Sequence, residues 1–364
     1  MILSLFIPIM LCISGNSFVN KGYRSSWLRS YLKNSARMLQ STVSDAPNPE
    51  SNTSSPRISP KKRYIPTKGN EYKPEDPGYE LLDFGMGQKL EKFGPHLVVR
   101  PSLGVQHAQR TQKLLKFWRN SANLVYSGTS GQPGMWNGTV RDDWKVQFGH
   151  MTFHLNTSSM GQVGVFPEQQ CNWEWMQQIL PTYLLQEPGP VKVLNGFAYT
   201  GGSTMACLVD PRIQVTHLEA SKSFVKIATD NVQHSACQGS VRWVIDDVMT
   251  FLYREIKRGN KYNAVIFDPP AFGRFERMMW SIEKDFPLLI EAIPELLCDN
   301  PAFVLLSAHD RKWDRIRMKD TLEAALAPKF GGGVFKRGLM SLLNIDDKKV
   351  TFGEFVRWTP SVKQ

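Results

Sequence analysis

From Gln170 to Trp358 the chain repeats one rhythm, in which short, almost continuous apolar runs alternate with segments of helix length. The runs are VKVLNGFA, IQVTHLEA, VRWVIDD, YNAVIFDPP and AFVLLSAH, followed by two closing strands near 333–339 and 351–358. Helices are expected at 170–186, 202–209, 222–235, 248–258, 275–297 and 311–327. A strand that is apolar on both faces must be covered on both faces, and a helix between successive strands supplies the cover. The pattern therefore predicts a mainly parallel α/β sheet of seven strands with right-handed crossovers. Ligands of such sheets lie outside the carboxyl ends of the strands.

Residues 79–165 read differently. YELLDFGMGQKLEKFGPHLVVRP breaks short apolar stretches with Gly and Pro, 108–126 has helical spacing through Leu114, Leu115, Trp118 and Leu124, and WKVQFGHMTFHLN (144–156) alternates like a half-buried strand. This is a small mixed, strand-rich domain preceding the α/β domain at 166–364. Residues 45–78 are too rich in Ser, Pro, Asn and charge to repay the entropy of ordering, and read as a disordered linker.

Residues 1–44 read as a leader. An apolar run from Ile2 to Ile13, too short to span a bilayer, is followed by KGYRSSWLRSYLKNSARMLQST, and no acid occurs before Asp45. A signal followed by a transit peptide is expected, addressed to a plastid-like organelle, with a mitochondrial presequence or secretion as alternatives and no stable membrane anchor once the leader is removed. The net charge of +11 is concentrated there: residues 1–68 carry +8, which leaves +3 for the other 296. Basicity is therefore no footprint of a nucleic-acid substrate.

Four consecutive strand ends carry chemistry. The first is Tyr199-Thr200-Gly201-Gly202, where small residues let a ligand approach the backbone. It is not a G-x-G-x-x-G turn, because Gly196 is followed by Phe197, Ala198 and Tyr199, and GGST lacks the Lys of a phosphate-binding loop. The second strand ends in Glu219, 18 residues beyond Gly201, an acid placed to accept from ribose hydroxyls and to repel a 2′-phosphate. The third ends in Asp246-Asp247, either of which suits an adenine amine or a helix cap. The fourth ends FDPPAFGR: Pro269 and Pro270 stiffen the loop and expose carbonyls, Asp268 can orient an acceptor, and Phe272 can stack on a planar base.

Cys171, Cys207, Cys237 and Cys298 are widely spaced, without a C-x-x-C pair, and neither a disulfide framework nor a zinc site is expected. His150 and His154 fall on an expected strand without an H-E-x-x-H acid, and no metal is assigned. The basic cluster Arg311, Lys312, Arg315, Arg317 and Lys319 is interleaved with Asp310, Asp314 and Asp320 and reads as a solvated helix face.

Taken together, LNGFAYTGGST, HLEASK, VIDDVMTFL, FDPPAFGR and GVFPEQQCNWEW (164–175) resemble the class I S-adenosylmethionine (SAM) methyltransferases, a Rossmann-like family, and within them the bacterial-type large-subunit rRNA cytosine-C5 and guanine-N7 methyltransferases. The resemblance runs from about Tyr79 to Trp358. It implies SAM as cofactor, bound through Phe197, Tyr199, Thr200, Gly201, Gly202, Glu219, Ala220, Ser221, Asp246, Asp247 and Asp268. It implies catalytic roles for Asp268, Pro269, Pro270 and Phe272, and places Phe166 and Gln169 near the cofactor. Gly196 stands where relatives carry a bulkier residue, which is expected to loosen packing, and Glu219 replaces a more usual Asp. The expected activity is methylation of a base in organellar large-subunit rRNA. A SAM-binding protein without catalysis and an NAD-dependent oxidoreductase are the alternatives. Cytosine C5 needs a thiolate adduct before it is nucleophilic, and no cysteine neighbours the Pro-Pro loop in sequence, so the reading leans away from C5 chemistry. The oligomeric state is not legible in the chain.

Overall fold

In a computed structural model of the protein, residues 78–110, 112–275 and 278–361 are described. The leader and the linker up to residue 77, with the localisation read from them, lie outside the described residues.

The described chain opens with β1 (Tyr79–Gly85), β2 (Gln88–Phe93), β3 (His96–Pro101), β4 (Leu124–Ser127) and β5 (Met135–Gly138), side by side in that order. Between β3 and β4, α1 (Gln112–Ser121) makes the crossover for a parallel pairing. This helix is shorter than the expected 108–126. Asn123 accepts the Leu97 N–H through its side chain and donates its own N–H to the Leu97 carbonyl, both at 2.8 Å, which draws the chain out of the helix and into register with β3. The expected single strand at 144–156 is a hairpin, β6 (Lys145–Phe148) and β7 (Met151–His154), reversed where Gly149 adopts a φ of +58°.

One charged cluster is buried in the first sheet. The Glu91 carboxylate meets Arg100 Nε at 2.6 Å and Lys89 Nζ at 3.0 Å and accepts from the Tyr79 hydroxyl at 3.0 Å. Burial alone would raise the Glu91 pKa. The two cations outweigh it and leave the group at about 2.

The second sheet has seven strands: β8 (Val191–Gly196), β9 (Ile213–Glu219), β10 (Ser240–Ile245), β11 (Ala264–Phe267), β14 (Phe303–Ala308), β15 (Val334–Leu343) and β16 (Lys349–Thr359). Their order is β10-β9-β8-β11-β14-β16-β15, parallel through β14, with β16 and β15 antiparallel. The winding reverses between β8 and β11, and sheets of this kind form their ligand crevice outside the carboxyl ends at such a reversal. The intervening helices are α2 (Gln170–Gln186), α3 (Gly202–Cys207), α4 (Lys222–Gln233), α5 (Val248–Arg258), α6 (Ile282–Leu296) and α7 (Arg315–Phe330).

Two helix starts differ from expectation. Residues 272–281 form a hairpin, β12 (Phe272–Phe275) with β13 (Met278–Ser281), and α6 begins only at Ile282, where the Ser281 N–H donates to Asp285 at 2.7 Å. α7 starts after Asp314, whose carboxylate accepts from the N–H groups of Ile316 and Arg317 at 2.9 and 2.8 Å, and it ends at Gly331 in the left-handed conformation. Three of the five basic residues of that region are ion-paired: Lys312 with Glu283, Arg315 with Glu354, and Lys319 with Glu323.

Phe93, Val98, Trp144 and Phe153 from the N-terminal strands join Trp173, Met176, Val191, Met205 and Phe303 in one apolar cluster. Each such side chain, fully buried, contributes about 1.5–3 kcal/mol of transfer free energy. Gly196 does not loosen this packing. A Cβ there would stand 2.6 Å from the Phe267 ring, so the neighbouring strand already fills the space. Among the described residues no helix is long and apolar enough to cross a membrane, and no group of three His, Cys, Asp or Glu side chains is arranged to hold a metal.

Candidate functional site

The loop leaving β8 is held in a backbone conformation that its sequence resists. Phe197 and Tyr199 have φ of 56° and 50°, and Gly201 has 91°. For residues with a Cβ such geometry costs about 1–3 kcal/mol each, so it persists only where the surroundings impose it. Here they do. The Tyr199 N–H donates to Glu219 Oε2 at 2.9 Å, the Thr200 hydroxyl donates to the Gly164 carbonyl at 2.6 Å, and Asn231 donates to the Thr200 carbonyl at 2.9 Å. Thr200 thereby anchors the loop. The Tyr199 ring packs on Phe166 and Phe224 at centroid distances of 5.3 and 4.5 Å, and burial pushes its pKa up to about 12. Below the loop, Asn195 donates to Thr204, whose hydroxyl lies 2.9 Å from His217 Nδ1. Burial lowers the His217 pKa to about 3 and keeps the ring neutral.

At Gly201, in the left-handed conformation, a Cβ would also crowd Ala228 at 3.2 Å, and at Gly202 it would meet the Trp173 ring at 2.6 Å. Close approach calls for glycine at both positions, and the turn calls for it at Gly201 as well.

At the tip of β9, Glu219 is the hinge between two loops. Its second oxygen accepts from the Ser221 N–H at 2.8 Å, so one carboxylate ties Tyr199 to the Ala220-Ser221 turn. Burial raises its pKa, against the backbone hydrogen bonds it receives. Ser221 caps α4 through the Phe224 N–H. Beyond β10, Asp246 is ion-paired with Arg254 and accepts from the Asp247 N–H, while Asp247 accepts from Thr250 N at 2.8 Å as the cap of α5. Of the two roles open to Asp247 in the sequence, the cap is the one observed.

At the end of β11, Asp268 accepts from Gln169 Nε2 at 2.6 Å and from the Ser307 hydroxyl at 2.7 Å, with His309 Nε2 3.6 Å from Oδ1. Burial would raise the Asp268 pKa; the His309 charge and the three donors outweigh it and hold the group below the ordinary carboxylate value. The Pro-Pro shelf is pinned by Trp280, whose indole N–H donates to the Pro270 carbonyl at 2.7 Å while its ring packs on Phe197 at 4.6 Å. Pro269 is buried, Pro270 exposed, and the Phe272 ring is 76% exposed.

These contacts join the strand ends into one arc. Glu219 bonds to Tyr199, Tyr199 packs on Phe166, Phe166 lies 6.0 Å from His309, and His309 faces Asp268. Phe166 and Gln169 fall within it. Ser307, His309 and Trp280 belong to it too, although the sequence reading passed over them. The first two sit at the end of AFVLLSAH, and the carboxyl-end rule, applied to that strand as to the four before it, points to them. His150 and His154 lie elsewhere: His150 faces the Met205 carbonyl and His154 packs on His234.

No family model matches the chain. A SAM-dependent methyltransferase from Agrobacterium tumefaciens superposes with a TM-score of 0.68 at 28% identity, over 78% of this chain and 90% of that one. The chain has the class I methyltransferase fold. Among curated proteins, the chain is similar to "Ribosomal RNA large subunit methyltransferase K/L" of Pseudoalteromonas atlantica, 26% identical over 140 residues, which are 38% of the chain and 18% of the relative. It is similar also to "Ribosomal RNA large subunit methyltransferase I" of Klebsiella pneumoniae, 30% identical over 117 residues, 32% of the chain and 29% of the relative. The matched region thus spans less than a third of either curated relative.

Proposed function

We propose that the protein is a SAM-dependent methyltransferase acting on a base of large-subunit rRNA. The observation that carries the proposal is the arc at the winding reversal, where the Tyr199 loop, the Glu219 carboxylate and the Asp268 shelf meet on one edge of the parallel sheet. The donor set fits the cofactor. Glu219 is a half-buried acceptor at the ribose position of an adenosine, the Phe197–Gly202 loop brings bare backbone to the methionine side, and Asp246 and Asp247 border the adenine side. Bound there, SAM supplies a methyl group already activated by its sulfonium.

The chain's own work is then alignment and exclusion of water, and proximity with orientation supplies roughly 7–11 kcal/mol of such catalysis. Asp268 and the exposed carbonyls of the Pro269-Pro270 shelf orient the acceptor, and the open Phe272 ring stacks on it. The side chains gathered on Asp268 are an amide, a hydroxyl and an imidazole. Such a set serves a ring nitrogen, which attacks directly, better than a carbon that first needs a thiolate adduct. Similarity to the two rRNA methyltransferases supports an rRNA acceptor, and the basic, hydroxyl-rich leader supports import into a plastid-like organelle.

Titration calorimetry of the full-length protein tests the cofactor. Wild type is expected to bind SAM, and Glu219→Ala to bind about tenfold or more weakly, since two backbone N–H groups lose their acceptor at a cost of roughly 1–3 kcal/mol. Equal affinity of the two proteins would sink the assignment. Transfer of labelled methyl from SAM to unmodified large-subunit rRNA tests the acceptor.

A further inference from the structure

Immediately after β14, the strand adjoining β11, His309 stands outside the apolar core. Its ring is bridged. Nδ1 lies 3.0 Å from the Phe352 carbonyl on β16, and Nε2 faces Asp268 Oδ1 at 3.6 Å. With Nδ1–H donating to the carbonyl, the ring is fixed about one axis and its Nε2 edge turns to the carboxylate. The side chain keeps 35% of its surface exposed and Asp268 keeps 26%, so both remain partly open to solvent. Gln169 and Ser307 engage the two Asp268 oxygens from below.

We propose that His309 is a positioning residue of the acceptor pocket, whose imidazolium locks the Asp268 carboxylate in the orientation an incoming base meets. The inference rests on the methyltransferase reading and deepens it by naming how the acceptor side is held. Asp268 at the end of β11 and the Phe352 carbonyl face the ring, and the Glu168 charge in the turn before α2 acts on it electrostatically. The Phe166 ring closes another side. Burial alone would discharge the ring, yet these acceptors together raise its pKa to about 9. Transfer should accordingly decline as pH rises through about 9, where the imidazolium is lost.

The test uses the full-length protein with three readouts: SAM affinity by calorimetry, labelled-methyl transfer to an unmodified large-subunit rRNA transcript between pH 6 and 10, and imidazole titration by NMR. His309→Gln keeps a donor amide without the charge, and His309→Ala removes both. SAM affinity is expected to change less than about twofold in either variant, because neither touches the Glu219 side, while transfer by His309→Ala falls about a hundredfold, as a misplaced reacting group does. His309→Gln is expected to recover part of that rate and to lose the alkaline decline. In the NMR experiment the highest-titrating imidazole should drop toward the ordinary histidine range in Asp268→Asn, whether or not the acceptor RNA is the right one. Normal transfer with an unaltered pH profile in His309→Ala, or a His309 titration indifferent to Asp268→Asn, overturns this proposal alone. Absence of SAM binding by wild type overturns the parent reading with it.

Discussion

At Gly196 the sequence suggested slack and the structure shows a contact. The space a side chain would take is filled from the neighbouring strand by Phe267, which is fully buried. Gly196→Ala should therefore lower the urea midpoint by the equivalent of about 1–3 kcal/mol, as overpacking does. Trimming the ring in the double variant Gly196→Ala/Phe267→Leu should recover part of it. An unchanged midpoint in the single variant would mean that the strands separate freely there. The residues that chemistry demands at strand ends were legible because acids, prolines and glycines have few other reasons to cluster at such places: Glu219, Asp268 and Gly201 all lie on the arc. His309 and Ser307 were harder to see. A histidine and a serine carry no spacing signature, and their roles come from what the fold lays beside them.

Among elements, α2 and α5 begin and end where the apolar spacing placed them, since each has a breaker or a cap at its boundary, such as Asp247 and Gly259 around α5. The stretch before α6 misled for a physical reason. Met278, Met279, Trp280 and Ile282 fit a helical face as well as a strand, and local spacing does not arbitrate between them. The choice is made by a long-range anchor, the Trp280 indole on the Pro270 carbonyl, with Phe272 pairing across to Ser281. Trp280→Phe keeps an aromatic ring against Phe197 and deletes that anchor. The expected outcome is a stability loss of about 1 kcal/mol in chemical denaturation, with methyl transfer falling more than SAM affinity. Equal losses in both would place Trp280 on the cofactor side instead.

On the scale of the whole molecule, stability at low pH should be governed by the charged cluster buried in the first sheet. Glu91 is fully buried and titrates at about 2 in the folded protein, below the carboxylate value of 4.5. A depressed folded pKa contributes stability that is present above 4.5 and is lost as pH falls toward 2. Tryptophan fluorescence followed from pH 6 down to 2 should show unfolding in that interval. Glu91→Gln should be destabilised already at neutral pH by about 3–5 kcal/mol, because Lys89 and Arg100 would be left as uncompensated buried cations, and its acid limb should flatten. An identical acid transition in the variant would assign the loss to other carboxylates.

The reversal of winding between β8 and β11 divides responsibility along the chain. One side of the site is encoded by residues 193–247 and the other by residues 264–309, and the two are joined by Phe166 and by the Trp280 ring on Phe197. On the proposed reading, exchange of the hairpin side alone would alter which acceptor is met while most of the residues facing the methyl donor stay as they are.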